Sequence, residues 1–429
     1  MTFLRSPKSH LPIFAFGMLS FAAGTFFILP PALATTYLGA AAVDIAVPGT
    51  EPSKPLVEHQ ATPSTVKGVY MTQCAVGTPS LRDSLVEFVK DTELNTIIID
   101  IKDYTGFISF QTENPALTDA VSKDCGASDM AAFIKSLHAH GIYVIGRITV
   151  FQDPRYTGAF PAESVQSVSR PGEPWKDHKG LSFVSVAAHP FWEYIVELSK
   201  ESYRLGFDEL NYDYIRWPSD GPMKDILYPS GNRAEELEKF FQFLSKEMKP
   251  TGVVISADLF GFVTTNTDDL NIGQVLERAL PYFDYIDPMV YPSHYPKSFL
   301  GLGDPNKYPY EVVHYAMTRA VERTLAPTTK VEALSHTPIM ETVAIPAHDG
   351  IATSTEQRFS GLYSKPIYPA SKMRPWLQSF DYPVAYTADM VAAQIKANTD
   401  SGLSSYLFWD PANRYTALRK VLTATEAAR

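Results

Sequence analysis

The sequence predicts an α/β chain folded as a closed (β/α)₈ barrel, preceded by an N-terminal signal or anchor segment and a linker. Eight short apolar or β-branched runs follow one another after residue 66, and amphipathic helical stretches separate them. A doubly wound open sheet fits less well, because no GxGxxG or phosphate-binding loop follows the first run.

The chain starts with a basic pair, Arg5 and Lys8, and residues 11–34 then carry no charge. Ala32-Leu33-Ala34 fits a small-residue cleavage site, so residues 1–34 read either as a cleaved export signal or as a membrane anchor. Residues 35–65 hold Pro48, Pro52, Pro55 and Pro63 among Ala, Thr and Ser, and read as a flexible linker. The barrel is expected over residues 66–429. Its runs are 68–71, 96–101, 142–150, 209–215, 253–259, 285–291, 376–380 and 405–409.

Helical spacing joins Leu81, Leu85 and Phe88, then Phe133, Ile134 and Leu137, and then Leu237, Phe240, Phe241 and Leu244. Ser128 fits a helix N-cap and Gly141 a stop, while Pro190 and Pro411 suit first turns. Two connections, 152–188 and 326–375, are long for a compact domain, and the second shows little periodicity.

Composition narrows the function. Hydrophobic residues at 45% and charged residues at 20% are those of a globular protein. A net charge of −10 without a Lys/Arg cluster excludes a nucleic-acid surface. His138 and His140 lie one residue apart on a helix and face different ways, and no HxxxH, CxxC or GxSxG occurs. No metal or other cofactor is therefore expected. Cys74 follows the first strand and Cys125 lies in the loop after the second; a disulfide and two free thiols both fit, and export would favour oxidation.

Carboxylates recur at the ends of the strands. Alternation in the fourth run puts Leu210, Tyr212 and Tyr214 on one face and Asn211 and Asp213 on the other. The apolar face packs on helices, so Asp213 points into the barrel near its C-terminal rim, where barrel active sites sit. Asp258 occupies the corresponding place in the fifth run. Asp103, Asp287 and Asp410 are further candidates, although a helix N-cap or an ion pair accounts for Asp410 and Asp100 equally well. Asp284 precedes its strand and reads as structural. Arg147 faces inward, where it can pair with a carboxylate or bind substrate hydroxyls. Arg216, Tyr291 and His294 follow strand ends. Trp217 and Trp409 are candidate sugar platforms, with core packing the competing reading for Trp409.

Several of these segments together resemble a bacterial "putative glycoside hydrolase" domain family. They are Lys67-Gly68-Val69-Tyr70, Asp100-Ile101-Lys102-Asp103, the run from Asn211 to Pro218, Ser256-Ala257-Asp258, the run from Pro288 to Tyr295, and Arg374-Pro375-Trp376-Leu377-Gln378. The resemblance covers about residues 66–420 and implies a TIM barrel with a role in carbohydrate metabolism. The expected reaction is hydrolysis of O-glycosidic bonds in an extracytoplasmic polysaccharide. Two carboxyls flank the scissile bond in such enzymes, one protonated and one ionised. Asp213 is expected to be the ionised one, charged beside Arg216, and Asp258 the acid, ahead of Asp287 and Asp103. A catalytically inert barrel that binds envelope glycan is the alternative.

Overall fold

The computed structural model describes residues 56–345 and 354–427. The expected signal or anchor and most of the expected linker lie outside the described residues. Eight strands close the barrel: β1 Lys67–Met71, β2 Thr96–Lys102, β3 Tyr143–Thr149, β4 Glu209–Asp213, β5 Val254–Phe260, β6 Tyr285–Met289, β7 Trp376–Gln378 and β8 Tyr406–Trp409. Each pairs in parallel with the next, and β8 returns to β1 with Gly68 opposite Leu407.

Besides the single turn Gln73–Val76 and the short helix Pro154–Ala159, the helices are α1 Pro79–Lys90, α2 Met130–Ala139, α3 His189–Leu205, α4 Arg233–Met248, the single turn α5 Leu276–Ala279, α6 Pro309–Leu325, α7 Ala388–Asp400 and α8 Thr416–Ala427. The expected apolar stripes are buried, except that Leu81 faces solvent. Ser128 is not the N-cap of α2, because the helix begins one residue later, after Asp129. Pro190 does sit in the first turn of α3, whereas Pro411 falls in the turn before α8. On α3 the buried stripe is Phe191, Trp192, Ile195, Val196, Leu198 and Leu205. Each such side chain contributes about 1.5–3 kcal/mol on burial, which holds the helix to the sheet.

The last part of the expected linker is packed instead of free. The Leu56 amide donates to Arg204 O at 2.8 Å, and the Gln60 amide to Asp208 Oδ1 at 2.7 Å. Val57 fills the space left by Gly206, where a Cβ would come within 2.6 Å of it. Gly206 has φ of 124°, a conformation that glycine adopts without strain. Proline content indicated a linker, but it does not report such backbone pairing.

Both long connections contain structure. Residues 152–188 hold a short helix, Pro154–Ala159, and the strand Gln166–Ser167, which pairs with Ile226–Leu227. Residues 326–375 contain an exposed antiparallel ribbon of Thr337–Ile345 and Ser354–Ser364.

Cys74 and Cys125 form a disulfide, with Cα atoms 4.5 Å apart. It ties the start of the β1–α1 connection to the loop after β2 across 51 residues. Closing a loop of that length removes denatured-state entropy equivalent to about 4 kcal/mol in the chain-entropy account. Cys74→Ser and Cys125→Ser are each expected to lower unfolding stability by about 2–4 kcal/mol. The drop is read as a shift in urea midpoint, and added reductant should reproduce it in the unaltered chain alone.

Candidate active site

The barrel interior is filled in layers by the inward residues of its strands. Nearest the N-terminal end, Arg374, just before β7, pairs with Glu209 and with Asp287 Oδ2 at 3.0 Å. Tyr143 and Ser256 also donate to Glu209, at 3.1 and 2.6 Å. Above these, the Asn211 amide nitrogen donates to Ser256 Oγ at 3.1 Å, Asp287 Oδ2 at 3.1 Å and Asp258 Oδ1 at 2.8 Å. Buried polar groups persist only where their partners are present, and here the partners come from neighbouring strands.

Arg147 dominates the top layer. One Nη donates to Asp100 Oδ1 at 2.7 Å, the other to Asp213 Oδ2, and Nε lies 3.5 Å from Asp258 Oδ2. The Tyr70 hydroxyl donates to the second oxygen of Asp100. Trp409 stacks on Tyr70 with ring centroids 3.9 Å apart, and the guanidinium lies 4.9 Å from the Trp409 ring.

One cation therefore serves three buried carboxyls, and the charges cannot balance with all three ionised. Burial, reinforced by the neighbouring charge of Asp213, pushes the Asp258 carboxyl well above the ordinary range. Burial pushes Asp100 up to about 6, and Arg147 only partly offsets it. The two oxygens of Asp258 differ. Oδ1 already accepts from Asn211 and, at 2.7 Å, from Trp376 Nε1, so the proton belongs on Oδ2.

A cleft of about 380 Å³ opens above this layer, and Arg147, Asp213, Arg216, Asp258, Tyr291 and His294 all line it. Trp409 joins them, with Tyr214, Phe260, Phe262, Met289 and Tyr295 along the walls. Trp409 thus faces the cleft, contrary to its core reading. Four expected site residues do not reach it. Asp103 accepts from the Thr105 amide at 2.9 Å and closes a turn. Asp287 is held below by Arg374. Asp410 caps a loop through the amides of Ala412, Arg414 and Tyr415 at 2.8–2.9 Å. Trp217 is buried, with its indole nitrogen 3.4 Å from Arg233 O.

The cation on Asp213 is also a different one from that expected. Tyr214 has φ of 51° and turns the chain, so Arg216 lies over the rings of Tyr214 and Phe260, 4.7 and 4.9 Å from their centroids. Arg147 takes the ion pair. Alternation places Tyr70 and Asp100 on inward faces; Asp100, which fits a cap or an ion pair equally in the sequence, is an ion-pair partner here, and the same signal could have found Tyr70.

Asp100 makes a pH test possible. Its folded value is raised from 3.8 to about 6, so its contribution to stability is complete below about 4 and is lost as pH rises through 6. Two units correspond to about 3 kcal/mol. Asp100→Asn is expected to remove that part of the stability decline between pH 4 and 7. Urea midpoints across the range check this, and parallel curves for the two proteins would refute it.

A closed parallel barrel whose C-terminal mouth holds two carboxyls in unlike environments has the makings of a glycosidase site. The chain belongs to the family described as "Putative glycosyl hydrolase domain", whose pattern matches residues 68–338 and 346–415. Among solved structures it is similar to the PgaB (BpsB) glycoside hydrolase domain from Bordetella bronchiseptica. That likeness has 15% identity and a TM-score of 0.53, over 84% of this chain and 99% of that one. It is also similar to α-L-fucosidase isoenzyme 2 from Paenibacillus thiaminolyticus, with 12% identity and a TM-score of 0.50, over 85% of this chain and 49% of that one. A hypothetical protein from Ruminiclostridium thermocellum shares 29% identity over 44% of this chain and 96% of its own, with a TM-score of 0.40. No curated protein matches. Among the described residues, no helix is long and apolar enough to cross a membrane, and no group of three or more His, Cys, Asp or Glu is arranged to hold a metal ion.

Proposed function

We propose that this protein hydrolyses O-glycosidic bonds of a polysaccharide outside the cytoplasm, with Asp258 as proton donor and Asp213 as its ionised partner. The observation that carries this reading is the single guanidinium of Arg147 set between the two carboxyls. It pairs directly with Asp213, while Asp258 is desolvated and left protonated. Asp258 Oδ2 then gives its proton to the leaving oxygen. Asp213 attacks the anomeric carbon or activates the water that does. Arg147 Nε has no hydrogen-bond partner, so it is the donor free to stabilise Asp258 once the proton has left.

Release of soluble sugar from a panel of polysaccharides, run beside pull-down on the same glycans, tests the reading. Products from at least one polymer are expected. Retention on glycan with no product from any would favour the inert binding barrel instead. Export rests on the basic start and the charge-free residues 11–34. A reporter active only outside the cytoplasm, fused after residue 65, should give signal, and silence from an expressed fusion would refute export.

A further inference from the structure

The cleft does not end at its carboxyls. Tyr291 and His294, both in its wall, have ring centroids 5.5 Å apart. His294 in turn lies 6.1 Å from Phe380 and 6.0 Å from Tyr382. The four rings, in edge-to-face or tilted contact, run from the cleft to the rim, and the outermost, Tyr382, is 58% exposed.

Exposed aromatic rings are common on loops, but the backbone that carries this one is fixed in place. Gln378, buried at the end of β7, donates from its amide nitrogen to Phe380 O at 3.0 Å and Tyr382 O at 3.3 Å. Its amide oxygen accepts from the Ser293 amide at 3.2 Å, so one side chain joins the loops after β6 and β7. Gln394 of α7 accepts from the Gln378 amide at 2.9 Å and donates to its carbonyl at 2.8 Å. Asp381 closes the loop by accepting from the Tyr386 amide at 2.7 Å. His294 Nδ1 is engaged with Ser293 Oγ at 2.8 Å, which leaves Nε2 as its polar atom for a ligand.

A rigid aromatic face beside polar groups, continuous with a glycosidase-type cleft, suits the C–H face of a pyranose ring, and rigidity lowers the ordering cost of binding. We infer that Phe380, Tyr382 and His294 form an outer sugar subsite, so that the cleft takes an oligosaccharide chain and not a lone terminal sugar. The inference rests on the carbohydrate reading above but not on hydrolysis.

Affinity electrophoresis of the full chain through gels containing glycol chitin, soluble xylan, carboxymethylcellulose, pullulan or alginate tests it, with sugar release measured on the same polymers. The unaltered chain should be retarded by at least one polymer. Tyr382→Ala should weaken that retention about tenfold, the factor that about 1.4 kcal/mol of lost contact produces. Tyr382→Phe keeps the ring and should bind as the unaltered chain does. Since Tyr382 faces solvent, both variants should keep the melting temperature, which is measured alongside. Retention that Tyr382→Ala weakens, with no sugar release from any polymer, would refute hydrolysis and support the subsite. Equal retention of Tyr382→Ala would overturn the subsite and leave hydrolysis standing, and a chain that no polymer retards would also overturn the subsite.

Discussion

Asp213→Asn and Asp258→Asn should each lose hydrolysis by at least about 10²-fold and remain folded, the loss expected for an acid–base group. The structure gives a reason for the second half of that expectation. Asparagine at 258 has the shape of the protonated acid. Its carbonyl oxygen can keep the hydrogen bonds from Asn211 and Trp376, and its NH₂ faces the cleft where the Oδ2 proton was. Asparagine at 213 keeps an acceptor for Arg147 but removes the charge that the reaction needs. The pH profile separates the roles. Loss of the Asp258 proton should set the alkaline limb of kcat/KM, a limb that Asp213→Asn should keep in its residual activity and Asp258→Asn should lose. Near wild-type turnover by Asp213→Asn would refute the central assignment. If Asp258→Asn alone stays active, Asp258 is not the acid, and the proton donor must be sought outside the carboxyls that line the cleft.

Sequence reading located all eight strands because each run carries its own signal in β-branched and apolar residues. It brought Arg147, Asp213 and Asp258 to one mouth because facing and height follow from alternation and from position near a strand's end. Depth is another matter. Asp287 lies opposite Asp258 in the β5–β6 register, yet it belongs to the layer of Arg374, a residue 87 positions away. Which cation a carboxylate meets depends on the stagger of neighbouring strands, and no single strand records it. Arg216 misled because nearness in sequence is not nearness in space: Tyr214 at φ of 51° turns the chain, and the guanidinium comes to lie over the rings of Tyr214 and Phe260. The ribbon of residues 337–345 and 354–364 was illegible because most of its residues are exposed, so no in–out pattern marks it.

Arg374→Met is expected to cost about 3–5 kcal/mol of stability, the usual penalty for stranding a buried charge partner. Arg374 is fully buried and is the cation on both Glu209 and Asp287, with Nη1 3.1 Å from Glu209 Oε2 and Nε 3.0 Å from Asp287 Oδ1. Its guanidinium also lies 4.0 Å from the Tyr285 ring centroid. Methionine preserves much of the volume but leaves two carboxyls facing each other in the barrel interior. Against a total of about 5–15 kcal/mol, that loss is a large share of the margin. Burial already pushes Asp287 up to about 6 with Arg374 present, and removing the cation raises it further. A raised folded value means the group stabilises when protonated, so the variant's deficit should be smallest below pH 6 and grow as pH rises above it, where Asp287 ionises in the unaltered chain but keeps its proton in the variant. Adding Glu209→Gln and Asp287→Asn to Arg374→Met removes the stranded charges and should recover most of the loss at neutral pH. Urea unfolding of the single and triple variants at pH 5 and pH 8 measures all of this. A loss below about 1 kcal/mol at pH 8, within the range of an exposed pair, would show that the lower layer does not hold the barrel together.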